Sequence, residues 1–185
     1  MLQLFKKYQS VLRFILIFLG SYFIFSIIYT GYLVQFESTA YYPDFFTHLV
    51  ALQSKDVIES LGYASKILAS PSEPSLQLYV NDQFLARIIE GCNSISIIIL
   101  FTSFILSFFA RFKITILYII TGAVIIYIMN IVRIVILSIG IYEYPQYTSF
   151  LHGIVFPLII YGTVFILWVL WVRLFSKFTH NEKEV

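Results

Sequence analysis

The chain has 185 residues, of which 59% are hydrophobic, 19% aromatic and only 12% charged, with a mean hydropathy of +0.87. Soluble domains carry about 25% charged residues, so this composition excludes an ordinary soluble enzyme and indicates an integral membrane protein. The net charge of +2 says little by itself; where the charges fall says more.

A bilayer core about 30 Å thick needs about 20 apolar residues in helical form. The first stretch of that kind is 14–34. Its apolar run exceeds that of a signal peptide and no small-x-small cleavage site follows, so it is read as a permanent span. Lys6, Lys7 and Arg13 precede it.

The segment 35–91 is then expected as a loop with order of its own. Val50, Val57, Ile58, Leu61, Ala64 and Leu68 fall at helical spacing, which predicts an amphipathic helix over 47–69 lying on the membrane. Ser70-Pro-Ser-Glu-Pro-Ser75 breaks it. Leu76, Leu78 and Val80 alternate with polar neighbours, Asn81-Asp82 offers a turn, and Phe84, Ala86 and Ile88 alternate again. That pattern predicts a short β-hairpin leading directly to Cys92.

The remaining spans are placed at about 92–110, 114–141 and 152–172. The second reaches spanning length only if its helix begins near Cys92. Arg111 and Lys113 fill the turn after it, and Arg173 and Lys177 follow the last span. With the N-terminal bases, these positions share one side of a four-span protein. The positive-inside rule makes that side cytoplasmic. The loop carries seven acids (Glu37, Asp44, Asp56, Glu59, Glu73, Asp82, Glu90) against three bases (Lys55, Lys66, Arg87) and is expected outside, with both termini cytoplasmic. The expected fold is an all-α membrane protein: one domain, 1–185, with four transmembrane helices, the outer loop carrying the amphipathic helix and hairpin.

In the third span Tyr127, Asn130 and Arg133 share one helix face. An arginine in a membrane helix costs about 2.5–3.5 kcal/mol at the centre and less toward the rim. Arg133 is therefore expected to face the bundle interior and reach toward the outer surface, where Cys92 and His152 also fall. Each has an ordinary reading alone: an inert cysteine, a solvated histidine, a snorkelling arginine. Their coincidence at one membrane face describes acyl transfer. A thiolate, favoured by a helix N-terminus or a nearby cation, is the nucleophile; His152 serves as general base and then acid; Arg133 holds the oxyanion or orients the scissile carbonyl. Zinc is disfavoured, because one Cys and one His fall short of three or four ligands. No other cofactor is expected, and nothing suggests a phosphate loop or a nucleic-acid surface.

Other residues have bland assignments. Glu90 reads as a solvated loop acid, with tuning of Cys92 or His152 as the alternative, and Tyr142, Tyr144 and Tyr147 as interfacial anchors, with lining of a peptide groove as a second role. Trp168 and Trp171 suit the inner interface, and His48 and His180 have no company that suggests chemistry.

Gly91-Cys92-Asn93-Ser94 opening a span, Asn130-Ile-Val-Arg133-Ile in the next and His152-Gly153 at the start of the last resemble the exosortase/archaeosortase family, most like its short exosortase F form. The match covers roughly 76–171. The resemblance implies a polytopic membrane cysteine peptidase or transpeptidase, with Cys92, Arg133 and His152 catalytic and Asn130 supporting. Its substrates would be secreted proteins with a C-terminal sorting signal: a recognition motif, a transmembrane helix and a basic cluster. Processing would occur at the outer face of a prokaryotic cytoplasmic membrane, with an accessory membrane protein as a further partner. Many members have about eight spans, and many follow the Cys with Ser-Gly rather than Asn93-Ser94. The rival reading is a non-catalytic membrane scaffold or assembly factor for protein export. A transporter component, with Tyr127, Asn130 and Arg133 lining a polar path, and a redox role for Cys92 are weaker rivals.

Overall fold

A computed structural model describes residues 8–35 and 42–181, with side chains through Leu174. Lys6, Lys7 and Glu37 lie outside the described residues, and the side chains of Lys177 and His180 lie beyond those described. The order is α1 (Gln9–Gln35), α2 (Phe45–Ser60), β1 (Ser65–Ala69), β2 (Leu76–Val80), β3 (Gln83–Ile88), α3 (Ile95–Ser107), α4 (Phe112–Glu143) and α5 (Phe156–Asn181). Helical turns over Pro145–Val155 lead into α5.

Among the described residues, three apolar helical segments are long enough to cross a bilayer: Gln9–Gln35, Phe112–Glu143 and Pro145–Leu174. The chain is thus a mostly helical, multi-pass membrane protein. The stretch expected as a span over 92–110 departs from this. Its helix, α3, has 13 residues, about 20 Å at 1.5 Å per residue. Ser94 explains the late start. At φ 66° its backbone is left-handed, which separates α3 from the short turn at Glu90–Cys92.

The segment between α1 and α3 also differs from the simple expectation. The helix predicted over 47–69 ends at Ser60, because Gly62 (φ +93°) closes it. The Gly62 N–H bonds the Glu59 carbonyl at 3.0 Å and the Tyr63 N–H bonds the Ile58 carbonyl at 3.4 Å. Both are the paired bonds of a glycine-closed helix end. At the other end the Asp44 carboxylate accepts from the Phe46 and Thr47 N–H groups, at 3.0 and 3.1 Å, as an N-cap. The residues freed after Ser60 form β1, so the hairpin becomes a three-stranded antiparallel sheet in the order β1-β2-β3. The Asn81-Asp82 turn has positive φ at both positions, 48° and 63°, which matches the twist of a two-residue hairpin. A bulge follows: Tyr79 pairs with Phe84, but Leu78 pairs with Ala86. Leu85 is the extra residue, so Phe84 leaves the face expected for it and is exposed beside the Tyr79 ring.

Two cores result. Val50, Ala51 and Ile58 of α2, Leu76, Leu78, Val80 and Ile88 of the sheet, and Ile134 and Val135 of α4 form one. The buried stripe of α2 is Thr47, Val50, Ala51, Ser54 and Ile58, so this helix lays its apolar face on protein. Val57 and Leu61, assigned to that face from spacing, are exposed. Tyr63 fastens the sheet side to the end of α4 by donating to Glu143 at 2.9 Å. That bond raises the Tyr63 phenol above its ordinary range.

Phe101, Ile105, Ile126, Ile160, Val164, Leu167 and Trp171 form the second core, between α3, α4 and α5. Between apolar helices in lipid, close packing rather than water exclusion supplies the attraction, so small residues mark the contacts. Gly122 is such a residue: a Cβ there would lie 2.3 Å from Cζ of Phe101. Trp168 and Trp171 pack into this core. Trp171 is fully buried and donates to the Phe108 carbonyl at 3.2 Å, and Trp168 stacks on Phe104. α1 packs on α3 and buries only Tyr29.

Candidate functional site

Cys92 ends the turn Glu90–Cys92, directly after β3. Its N–H bonds the Ile89 carbonyl at 2.8 Å, so it occupies a turn of its own three residues before α3. The helix N-terminus expected to support it therefore belongs to Ile95, not to Cys92.

The neighbouring Asn93 holds this turn in place. Its Nδ2 donates to the Tyr29 hydroxyl at 2.7 Å and to Thr47 Oγ1 at 3.1 Å. Its Oδ1 accepts from the Ile95 N–H at 3.0 Å. One fully buried amide thus joins α1, α2 and the start of α3. From the other side, Asn130 Nδ2 donates to the Cys92 carbonyl at 2.7 Å. Glu90, read above as solvated, is half-buried and lies beside Tyr29.

Asn130 and Arg133 lie on the inward face of α4, at 0% and 4% exposure. Tyr127 on the same face donates to Gln53 of α2 at 2.6 Å. The Arg133 guanidinium stacks on the Phe156 ring, 3.8 Å from its centroid. It also lies within electrostatic range of Cys92. Among the described residues its Nε and Nη2 have no hydrogen-bond partner, and neither does Asn130 Oδ1. Leaving a buried donor unpaired costs about 1–3 kcal/mol, and more for a charged group. Such groups call for a structural or functional reason.

His152 lies in a π-helical turn, Leu151–Val155. Pro157 accounts for it: the residue lacks the N–H that would bond the Gly153 carbonyl, and its ring crowds that turn. Wide turns of this kind recur at functional sites. The imidazole is exposed and sits 6.0 Å, ring to ring, from Phe156.

Cys92 and His152 meet in one cleft of about 360 Å³. Its walls are Phe84 to Ile88 of β3, Cys92, Ile134, Leu137 and Ser138 of α4, and His152 and Phe156. Cys92 and His152, 60 positions apart in sequence, face the same space. Arg133 does not line it; Phe156 stands between them. Asn93, Tyr29, Thr47 and Phe156 are the structural contributors that the residue spacing left unremarked. Asn93 had a signal, standing next to the lone cysteine; Phe156 had none, being one apolar residue in an apolar run. No group of three metal-ligating side chains occurs among the described residues.

No protein-family model, no curated protein and no solved structure matches the chain.

Proposed function

We propose that the chain is a membrane-embedded cysteine peptidase or transpeptidase of the exosortase type. It would process the C-terminal sorting signal of secreted proteins at the outer face of the cytoplasmic membrane. The observation that carries this reading is the shared cleft: the only cysteine of the chain and an exposed histidine from a distant π-turn line one space. Beside it lies a buried arginine with two unpartnered donors.

The chemistry follows from the residue types. His152 takes the thiol proton of Cys92, and Sγ attacks the carbonyl carbon of the scissile peptide bond. Arg133 donates to the oxyanion; Phe156 covers its guanidinium, so substrate entry displaces that ring. The tetrahedral adduct collapses, the C–N bond breaks, and His152 returns the proton to the leaving amine. A thioester on Cys92 remains for attack by water or an amine. Asn130 holds the Cys92 carbonyl and so sets the angle of the turn. The substrate's own transmembrane helix would deliver its cleavage site to this depth, which removes much of the entropy cost of the encounter.

The reading is tested by co-expressing a secreted protein carrying such a signal with the native chain and with single variants. Cys92→Ala abolishes processing at unchanged membrane levels. His152→Ala lowers it by roughly 100- to 10,000-fold, the usual loss of a general acid–base, and Arg133→Ala by roughly 100- to 1,000-fold. Normal processing by Cys92→Ala rejects the mechanism. Mild, independent effects of the three substitutions favour the scaffold reading.

A further inference from the structure

The cleft has one wall that the catalytic reading leaves unexplained. Phe84, Leu85, Ala86, Arg87 and Ile88 all line it. Side chains on a strand alternate between faces, so a cavity that ran across one face of β3 would touch every second residue. A cavity that touches five in succession runs along the strand's edge.

That edge is open. β3 is the last strand in the order β1-β2-β3. Among the described residues its backbone makes no hydrogen bond beyond its ladder with β2. Exposed edges are usually blunted by charge, proline or a covering element. β3 has no proline, and Arg87, its one charge, is engaged by Glu73 from the β1–β2 loop. The bulge at Leu85 re-aims a side chain, as bulges beside binding sites do. The strand then runs without a break into the turn that carries Cys92.

We infer that β3 is a docking rail for an extended peptide, which adds as a fourth strand along its free edge and is carried past Cys92. Strand addition of this kind draws affinity from main-chain hydrogen bonds and selectivity from pockets for alternate side chains. At about 3.3 Å per residue, the five positions hold four or five residues of an added strand. The apolar lining from Leu85, Ile134, Leu137 and Phe156 accepts an aliphatic side chain. This deepens the peptidase reading and rests on it for the identity of the peptide as substrate.

The test uses the full chain in lipid nanodiscs, with Cys92 only as an attachment point. The synthetic peptide acetyl-Ala-Val-Thr-Val-Cys-amide is joined to Cys92 by a disulfide, and amide hydrogen exchange is read over residues 83–88. The fully adducted protein is expected to slow exchange there by about tenfold or more, while an adduct with the backbone N-methylated peptide does not. Equal exchange in both adducts overturns the proposal, as does refusal of Cys92 to accept the peptide without denaturant. Protection that appears without peptide and rises with protein concentration means that a second copy takes the edge, and also overturns it. The processing assay with Cys92→Ala is separate. Processing without β3 protection sinks the rail and leaves the peptidase standing; β3 protection without processing does the reverse.

Discussion

Asn93 satisfies three partners from three helices while being almost fully buried itself. Asn93→Ala leaves the Tyr29 hydroxyl, Thr47 Oγ1 and the Ile95 N–H without that amide, at about 1–3 kcal/mol for each buried group left unpaired. A lower unfolding midpoint in detergent is expected, with α1 detaching first; faster exchange confined to 9–35 reads that order directly. Phe156 works through a different force. Its ring holds the Arg133 guanidinium by a cation–π contact worth about 0.5–2 kcal/mol. Phe156→Leu removes the contact and Phe156→Tyr keeps it. The leucine variant is expected to lose thiol labelling at Cys92 relative to the tyrosine variant, since Arg133 then settles elsewhere. Equal labelling in both would show that the stack does not position the arginine.

At the scale of elements, Gly122 fixes how α3 meets α4. Gly122→Ala drives a methyl group into the Phe101 ring, and overpacking of this kind costs about 1–3 kcal/mol. Phe101→Leu in the same chain is expected to recover part of that loss, because the ring is the obstacle; a thermal scan of the single and double variants decides it. The elements also show where sequence pattern was informative. The turn at Asn81-Asp82 was legible because two left-handed residues are what a two-residue hairpin needs, and the inward face of Asn130 and Arg133 because polar groups avoid lipid. The extent of α2 was not. Leu61, Ala64 and Leu68 kept helical spacing past Ser60, and only the left-handed Gly62 cut the helix and released β1. The start of α3 was hidden for the same reason, since the strain at Ser94 is a backbone state that composition does not announce. Cys92 and His152 were legible as residue types; the cleft they share depends on β3 and Phe156, which spacing did not bring to it.

At the scale of the molecule, the polar machinery and the sheet share one end of the bundle, and the second core fills the rest. The 13-residue α3 stands between α1 and α4 in that bundle. Its length has a consequence for the surrounding lipid. A helix about 10 Å shorter than a hydrocarbon core of about 30 Å creates hydrophobic mismatch, which a bilayer relieves by thinning locally. The headgroup layer would then dip beside α3 and bring water toward the turn at Cys92, so acyl-chain length enters the geometry of the cleft. Labelling of Cys92 by an impermeant thiol reagent should be faster in short-chain than in long-chain phosphatidylcholine vesicles, and a rate indifferent to chain length would mean that the protein alone sets the water line.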